Sequence, residues 1–283
     1  MASHDSLRCL ATVSVPAPDL SPQSFLHQAK GEPRGFWARD ESWFAHRGVT
    51  LSLGAEHFSD GDRFAKTASA ACELMQRMIL SGRADRDSNL RFYGGFSFRA
   101  DHKASGVWAG FPDSLFHLPA IELERGDSGD TWLRVRALVK NEERDQVFQR
   151  LRAKAELLRD KMTSRAVFSG SPERKSGFGL VTEREKWEAA IDSSLRAIRS
   201  GSISKAVMAR TMDVDCREGV IDPVDVVAKL WEMNQGSHVF LFEPVPGSAI
   251  VGAAPETVAA LSDGVFPRTS VSRPYRLIPA GNI

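Results

Sequence analysis

The sequence predicts an α+β protein in which antiparallel strands are grouped together and flanked by amphipathic helices. The first observation is a series of four strand candidates joined by turns rich in Gly, Asp and Ser rather than by helices. This spacing indicates a meander, because parallel strands require a crossover of a dozen or more residues. The second observation is a set of segments with apolar residues at three- and four-residue steps, which is typical of amphipathic helices.

The first third of the chain predicts a strand, a hairpin and a helix, in that order. An apolar run from Leu10 to Val15 predicts an opening strand. Two further runs, Glu41 to Ala45 and Val49 to Leu53, predict a hairpin with its turn at Arg47-Gly48. Helical spacing from Phe64 to Ile79 predicts an amphipathic helix.

Four strands and a long helix follow. The strand candidates are rich in apolar residues and run from Leu90 to Phe98, Gly106 to Phe111, Leu115 to Leu123 and Thr131 to Val139. Gly94-Gly95 in the first of them predicts a bulge or a close approach of the backbone. Asn141 is a candidate N-cap for a helix whose apolar face reaches Met162, and residues 164–177 have the composition of a linker.

The second half begins with the helix that is best marked in the sequence. Thr182 and Glu185 have the spacing of a capping box, and Gly201 stands just beyond the end of the apolar stripe. Ile203 to Thr211 predicts a strand, and Asp222-Pro223 predicts the start of a helix that reaches Met233. Further strands are predicted at His238 to Glu243, Ala249 to Ala253, Thr257 to Leu261 and Val265-Phe266.

Composition and charge exclude several classes of function. Lys and Arg number 37 and Asp and Glu 36, so no sequence-wide basic field is available to bind nucleic acid or an anionic membrane. The three cysteines are scattered, and no apolar stretch approaches about 20 residues, so we expect a cytoplasmic protein that neither is secreted nor spans a membrane. The sequence contains no Walker loop, no GxGxxG, no HExxH and no GxSxG motif.

Two residues are candidates for chemistry. Lys205 would share a strand face with Val207 and Ala209 if its segment is a strand, because side chains alternate with period two. It is then either a lysine that extends to solvent or a desolvated general base with a lowered pKa. Glu256 follows the turn-like run Gly252 to Pro255 and is either a solvated turn residue or a carboxyl whose raised pKa suits an acid. The residues alone leave both pairs of alternatives open.

Two motifs resemble signatures of the chorismate-utilising enzymes, a family that includes anthranilate synthase component I, aminodeoxychorismate synthase, salicylate synthase and isochorismate synthase. The segment KAVMAR, which contains Lys205, is similar to the family's KVVLAR signature. The segment FLFEPVPGSAIVGAAPE, which ends at Glu256, resembles its strand, turn and GASPE signature. Upstream, PRGFWARDESWFAHRGVTLSLGA, RFYGGFSF and HLPAIEL are similar to the amino-terminal half of isochorismate synthases in particular.

The resemblance implies the amino-terminal portion of the chorismate-binding fold, with antiparallel sheets and helices packed outside. It implies isomerisation of chorismate to isochorismate, for a menaquinone, siderophore or salicylate pathway. Lys205 matches the family lysine that activates water for attack at C2, and Glu256 matches the acid that protonates the departing C4 hydroxyl. The implied cofactor is Mg²⁺, which binds the carboxylate of chorismate, and none of its ligands can be assigned in this sequence.

The sequence also departs from the family pattern. Ala254 stands where Ser or Thr is usual, and the resemblance stops after Phe266 although the family continues far beyond that point. We therefore expect a frameshifted or prematurely terminated reading frame, and no isochorismate synthase activity from this chain alone. The regions expected are an amino-terminal region at 1–163, a linker at 164–177, an incomplete catalytic region at 178–266 and a tail at 267–283.

Two other functions remain open. In anthranilate and aminodeoxychorismate synthases, ammonia replaces water as the nucleophile. Those enzymes usually carry a tryptophan-recognition element with a Leu-Leu-Glu-Ser stretch near the amino terminus, which is not found in this sequence. The third possibility is a non-catalytic fragment that serves as an interaction module, for which soluble expression and cooperative unfolding would be expected.

Overall fold

The computed structural model describes residues 9–54, 62–81, 90–99, 101–140, 142–164, 178–181, 184–211, 213–216 and 221–255. The chain divides into two compact units. The first comprises Met1–Phe168 together with Pro223–Ile283, and the second comprises Ser169–Asp222. The expected linker falls almost entirely outside the described residues, and the chain returns to the first unit at Pro223.

The described residues form eleven strands and five α-helices. The strands are β1 Cys9–Pro16, β2 Arg34–Arg39, β3 Ser42–Leu53, β4 Met78–Ser81, β5 Tyr93–Phe96, β6 Ser114–Arg125, β7 Thr131–Val139, β8 Phe178–Val181, β9 Asp213–Cys216, β10 His238–Val245 and β11 Ser248–Ala254. The helices are α1 Pro22–His27, α2 Arg63–Gln76, α3 Arg144–Ser164, α4 Arg184–Arg199 and α5 Pro223–Met233, with a 3₁₀ turn at Gly106–Trp108.

Nine strands of the first unit form one sheet. Their order is β11-β10-β2-β3-β6-β7-β1-β4, and β5 pairs with β6 beside that row. All pairings are antiparallel except that of β1 with β4, which confirms the predicted α+β class with antiparallel strands. In the second unit, β8 and β9 form a two-stranded antiparallel sheet.

One face of the large sheet carries the hydrophobic core. Phe36, Ala45, Leu123, Leu133 and Val15 are successive cross-strand neighbours from β2 to β1, and all five are buried. Helix α3 packs on β1 and β7, α5 packs on β10 and β11, and α1 lies between α5 and β3. The period-two pattern of the strands and the period of the helices thus meet on this face. Among the described residues, no helix is long and apolar enough to cross a bilayer.

Several predicted elements agree with the structure. The strand at Leu10 to Val15 is β1, and the strands at Leu115 to Leu123 and Thr131 to Val139 are β6 and β7. The predicted helices after Asn141, Thr182 and Asp222 are α3, α4 and α5, and the β10–β11 hairpin forms as predicted, whereas Asn141, Thr182 and residues 257–266 lie outside the described residues.

The predicted hairpin around Arg47-Gly48 is wrong. Residues 42–53 form the single strand β3, and the chain reverses between β2 and β3 at Asp40, which has a positive φ of 53°. Gly48, with a φ of 62°, lies just before the register shift of β3 against β6 and donates its N–H to the carbonyl of Pro33. A glycine accommodates a bulge as readily as a turn, so the local signal could not distinguish the two.

Two other boundaries also differ. Helix α2 ends at Gln76, and Met78–Ser81 pairs in parallel with β1, because a short apolar run satisfies helical and strand spacing equally well. Residues 106–111, predicted as a strand, instead contain the 3₁₀ turn Gly106–Trp108. The amide of Phe111 donates to the carbonyl of Trp108, so the segment satisfies its hydrogen bonds locally.

A buried ion pair joins three parts of the core face. Arg34 Nε donates to Glu243 Oε2 (2.5 Å), and Arg34 Nη1 donates to the carbonyl of Leu26 at the end of α1 (2.9 Å). The amide of Gly247 in the β10–β11 turn donates to Glu243 Oε1 (2.8 Å). Both charged side chains are almost fully buried, so each requires the other as a partner.

We expect Glu243→Gln to lower the free energy of unfolding by about 3 kcal/mol, because it leaves the buried Arg34 guanidinium without a counter-charge. Urea titration of the purified chain measures this loss. The control is Glu232→Gln, which removes an exposed ion pair with Lys229 and should cost less than about 1 kcal/mol. Equal losses in the two variants would contradict the structural role of the Arg34 pair.

Candidate functional site

Lys205 lies in the second unit, on a segment that folds back along α4. After the helix ends, Gly201 adopts a φ of 74° and Ser202 donates its N–H to the carbonyl of Ala197 (3.0 Å). Gly201 therefore makes the turn that the sequence predicted for it.

The segment that follows is held by side-chain contacts with α4. Ser194 Oγ donates to Met208 Sδ (3.3 Å), and the guanidinium of Arg210 lies 5.2 Å from the centre of the Trp187 ring. The predicted strand at 203–211 is wrong, since no described strand pairs with it and alternation alone does not form a ladder. Lys205 is exposed and does not lie on an apolar strand face.

Glu256 lies just outside the described residues, and the strand that leads to it is β11. Gly252 in that strand pairs with Phe240, and a Cβ at Gly252 would lie 2.6 Å from Phe240 Cζ. The glycine of the VGAAPE run is therefore required by a ring packed directly over the backbone. The structure thus assigns Lys205 to the second unit and the strand before Glu256 to the first.

The sheet face opposite the helices carries a cleft lined mainly by aromatic rings. Trp37 lies between Phe44 and Phe240 on adjacent strands, with ring centroids 6.4 and 5.9 Å away and interplanar angles of 4° and 25°. A loop formed by residues 101–113, here called the cover loop, lies opposite these rings and contributes Trp108 and Phe111. We call this space, of about 760 Å³, the aromatic cleft.

Arg63, at the start of α2, fixes both ends of the cover loop. Its guanidinium donates to the side chain and the carbonyl of Ser97 (both 2.9 Å) and to the carbonyl of Asp113 (3.3 Å). The loop then crosses to the other side of the cleft, where Phe111 lies 6.3 Å from Phe242 on β10. A single buried arginine thus holds the loop against the edge of β5 and β6.

Gly94-Gly95 forms one wall of the aromatic cleft. A Cβ at Gly94 would lie 1.9 Å from the carbonyl oxygen of Leu115, so the predicted close approach of the backbone is confirmed there. A Cβ at Gly95 would meet nothing within 4 Å and would project into open space. Only the first glycine is therefore required by backbone packing.

A buried charged cluster lies on the same face, centred on Glu122. Its carboxylate accepts hydrogen bonds from Arg134 (3.0 Å), Arg91 (3.2 Å) and the hydroxyl of Tyr93 (3.2 Å). Arg91 and Arg134 also donate to Glu124, so two guanidiniums bridge two carboxylates. Burial alone would raise the pKa of Glu124, but the hydrogen bond from Arg91 and the charge of Arg134 outweigh it and lower that pKa.

His46 is fully buried beside this cluster. Its ring lies 3.9 Å from the ring of Tyr93, and a Cβ at the neighbouring Gly35 would lie 2.3 Å from His46 Nε2. Burial, His117 and the positive charge of Arg136 lower the pKa of His46 to about 3. The imidazole is therefore neutral at physiological pH.

A family model for chorismate-binding enzymes matches residues 2–271. The chain belongs to this family. Among relatives, the anthranilate synthase component 1 of Haloferax volcanii is 32% identical over 120 residues, which cover 41% of this chain and 21% of that protein. The salicylate biosynthesis isochorismate synthase of Pseudomonas aeruginosa is 27% identical over 231 residues, which cover 81% and 46%.

A solved structure supports the same fold for this chorismate-binding family member. The menaquinone-specific isochorismate synthase MenF from Escherichia coli matches with a TM-score of 0.54 and 14% identity, covering 90% of this chain and 52% of that chain. The chain thus spans about half the length of these two isochorismate synthases and about a fifth of the Haloferax anthranilate synthase. At this identity the structural match establishes the fold alone.

Sequence analysis of this family member did not single out the aromatic cleft or the Glu122 cluster. A signal for the cluster is present, because Glu122 and Glu124 alternate on β6 while Arg134 and Arg136 alternate on β7. Opposite charges at two-residue spacing on neighbouring strands predict cross-strand ion pairs. No group of three or more His, Cys, Asp or Glu that suits a metal ion occurs among the described residues.

We expect the stability of this protein to fall as pH is lowered from about 7 to 5, in part because of His46. Unfolding restores the ordinary pKa of about 6.5, so the unfolded state binds a proton that the folded state excludes until about pH 3. This difference amounts to about 2 kcal/mol at pH 5. In His46→Leu the slope of unfolding free energy against pH should be smaller by that amount, measured by urea titration. Parallel curves for the two proteins would contradict the buried neutral histidine.

Proposed function

We propose that this family member contributes to isochorismate synthase activity, the isomerisation of chorismate to isochorismate. The observation that carries the proposal is the extent of similarity to the Pseudomonas isochorismate synthase, which covers 81% of this chain, against 41% for the Haloferax anthranilate synthase. The upstream motifs that resemble isochorismate synthases lie within the residues that the family model matches. We also propose the cytoplasm as the site of action.

In the proposed reaction, Lys205 is the general base and Glu256 the general acid. Lys205 removes a proton from water as the water oxygen bonds to C2, the ring double bond shifts, and the C4 hydroxyl leaves as water after Glu256 protonates it. The substrate loses one water molecule and gains another, so the reaction is an isomerisation. The acid is needed because hydroxide is a poor leaving group. The exposed Lys205 must be desolvated by the bound substrate for its amine to act as a base.

Mg²⁺ is part of the proposal as a counter-ion for the carboxylates of chorismate. The described residues do not offer a ligand set that fits it, since they contain no cluster of three or more suitable side chains. The chemistry assigned to Lys205 and Glu256 is therefore stated without a step that depends on the metal.

A second candidate is anthranilate or aminodeoxychorismate synthesis, in which ammonia takes the place of water. The 32% identity to the Haloferax anthranilate synthase component 1 favours it. Lys205 and Glu256 would keep equivalent roles, because an amine nucleophile must also lose a proton while the C4 hydroxyl gains one. The two candidates therefore differ in the nucleophile and not in the acid and base.

We expect Lys205→Ala to reduce catalysis by about 10²–10⁴-fold, the usual loss for a general base. Because the chain spans 46% of the Pseudomonas enzyme, the assay uses a chimera of residues 1–266 with the remainder of that enzyme. Isochorismate is measured by chromatography. The control is Lys186→Ala, an exposed lysine on α4 that should leave the rate unchanged. Undiminished turnover by Lys205→Ala would contradict the role of Lys205.

A companion chimera distinguishes the two candidate functions. Residues 1–266 are joined to the remainder of the Haloferax anthranilate synthase and assayed with ammonia. We expect this chimera to be inactive, because an active site forms only when both halves place their groups to within about 1 Å. Activity in this chimera and not in the isochorismate synthase chimera would favour the second candidate.

We expect the 283-residue chain alone to form no isochorismate above the uncatalysed background, with or without added Mg²⁺. Acid and base accelerate a reaction only when the substrate is held in reach of both, and the isochorismate synthases it matches are about twice as long as this chain. The full-length Pseudomonas enzyme is the positive control. Product that disappears in Lys205→Ala would show that the 283 residues suffice.

A further inference from the structure

We propose that the aromatic cleft binds a planar aromatic molecule that carries a hydroxyl or N–H donor. The proposal does not depend on the chorismate reaction. Chorismate is a dicarboxylate with a non-aromatic ring, whereas the described residues that line the aromatic cleft include no Lys, Arg, Asp or Glu. The chemistry of this lining thus selects a different class of ligand.

The arrangement of the rings favours a flat ligand. Trp37, Phe44 and Phe240 form a nearly parallel row on three adjacent strands, with the Trp37 ring 39% exposed. Trp108 and Phe111 on the cover loop provide a second set of aromatic surfaces, with their own rings at 74° to each other. A planar aromatic molecule can stack on the row and meet the second set edge to face, and each such contact adds to the apolar area that it buries.

His102 supplies a polar group that selects the donor. Its Nε2 lies 3.0 Å from the carbonyl oxygen of Phe111, which can only accept, so Nε2 carries the proton. In the neutral ring Nδ1 is therefore an acceptor, and no hydrogen bond to Nδ1 is formed within the described part of the chain. Since His102 lines the aromatic cleft, a ligand hydroxyl or N–H can donate to it.

The walls of the cleft are fixed in place rather than formed by the ligand. Arg63 holds the cover loop at Ser97 and Asp113, and Tyr93 is tied to Glu122 at the start of the β5 wall. A site held in this way requires little ordering on binding, which favours affinity. Gly95 leaves open space beside the cleft, and a larger side chain there would occupy it without a backbone clash.

The experiment compares three ligands by isothermal titration calorimetry of the 283-residue chain at about pH 8, where histidines of ordinary pKa are neutral. The probes are 2-naphthol, 2-methoxynaphthalene, which lacks the donor, and decahydro-2-naphthol, which lacks planarity. We expect 2-naphthol to bind about 3- to 10-fold more tightly than its methyl ether, the usual value of one hydrogen bond. Decahydro-2-naphthol should bind more weakly than both planar ligands.

Two variants locate the site. Gly95→Leu should weaken 2-naphthol binding at least 10-fold, whereas Gly126→Leu, another glycine whose Cβ would meet open space and which lies outside the cleft lining, should not change it. His102→Leu should abolish the preference for naphthol over its ether, a loss that a merely structural role would not produce. The proposal is overturned if no probe binds, if all three bind equally, or if Gly95→Leu binds as the wild type does. The first outcome would mean that polypeptide fills the cleft, and the second that it is only an apolar surface.

Discussion

Glu122 is a fully buried carboxylate, and the arrangement of one whole face of the sheet depends on the need to compensate its charge. Its partners come from β7, from β5 and from the residues just before β5. Each partner is itself buried or half-buried, so the loss of any one leaves an uncompensated polar group. The cluster thus holds β5 at its place beside β6, and it holds with it the glycine wall of the aromatic cleft.

The two faces of the nine-stranded sheet have different roles because their side chains differ in chemistry. The face under α1, α3 and α5 is almost purely apolar and contributes most of the buried hydrophobic surface. The opposite face carries the Glu122 cluster, the neutral His46 and the aromatic row. Stability therefore comes mainly from the first face, while the second combines fixed charges and accessible rings, which suits recognition.

Membership of the chorismate-binding family and the geometry of the described residues inform on different parts of the function. The motifs around Lys205 and Glu256 point to acid and base chemistry, but Lys205 is exposed in its own unit and Glu256 lies outside the described residues. The described residues instead define the aromatic cleft, which the motifs did not indicate. The proposed reaction rests on sequence similarity, and the proposed ligand site on packing.

The sequence by itself determined the elements whose signals are local and unambiguous. Helix α5 begins at an Asp-Pro pair, β7 alternates over its full length, and the β10–β11 hairpin is marked by its Pro-Gly turn. The family resemblance was likewise carried by short motifs. These features depend on neighbours within a few residues of each other, which the sequence displays directly.

Only the tertiary structure decided the remaining features. Whether Gly48 made a turn or a bulge depended on β6, more than 60 residues away, and whether 203–211 became a strand depended on a partner strand that no described residue supplies. The Glu122 cluster and the aromatic cleft likewise bring together β2, β3, β5, β6, β7 and β10. Burial and cross-strand pairing are properties of the assembled sheet, and so the electrostatics of His46 and the shape of the cleft follow from packing rather than from local sequence.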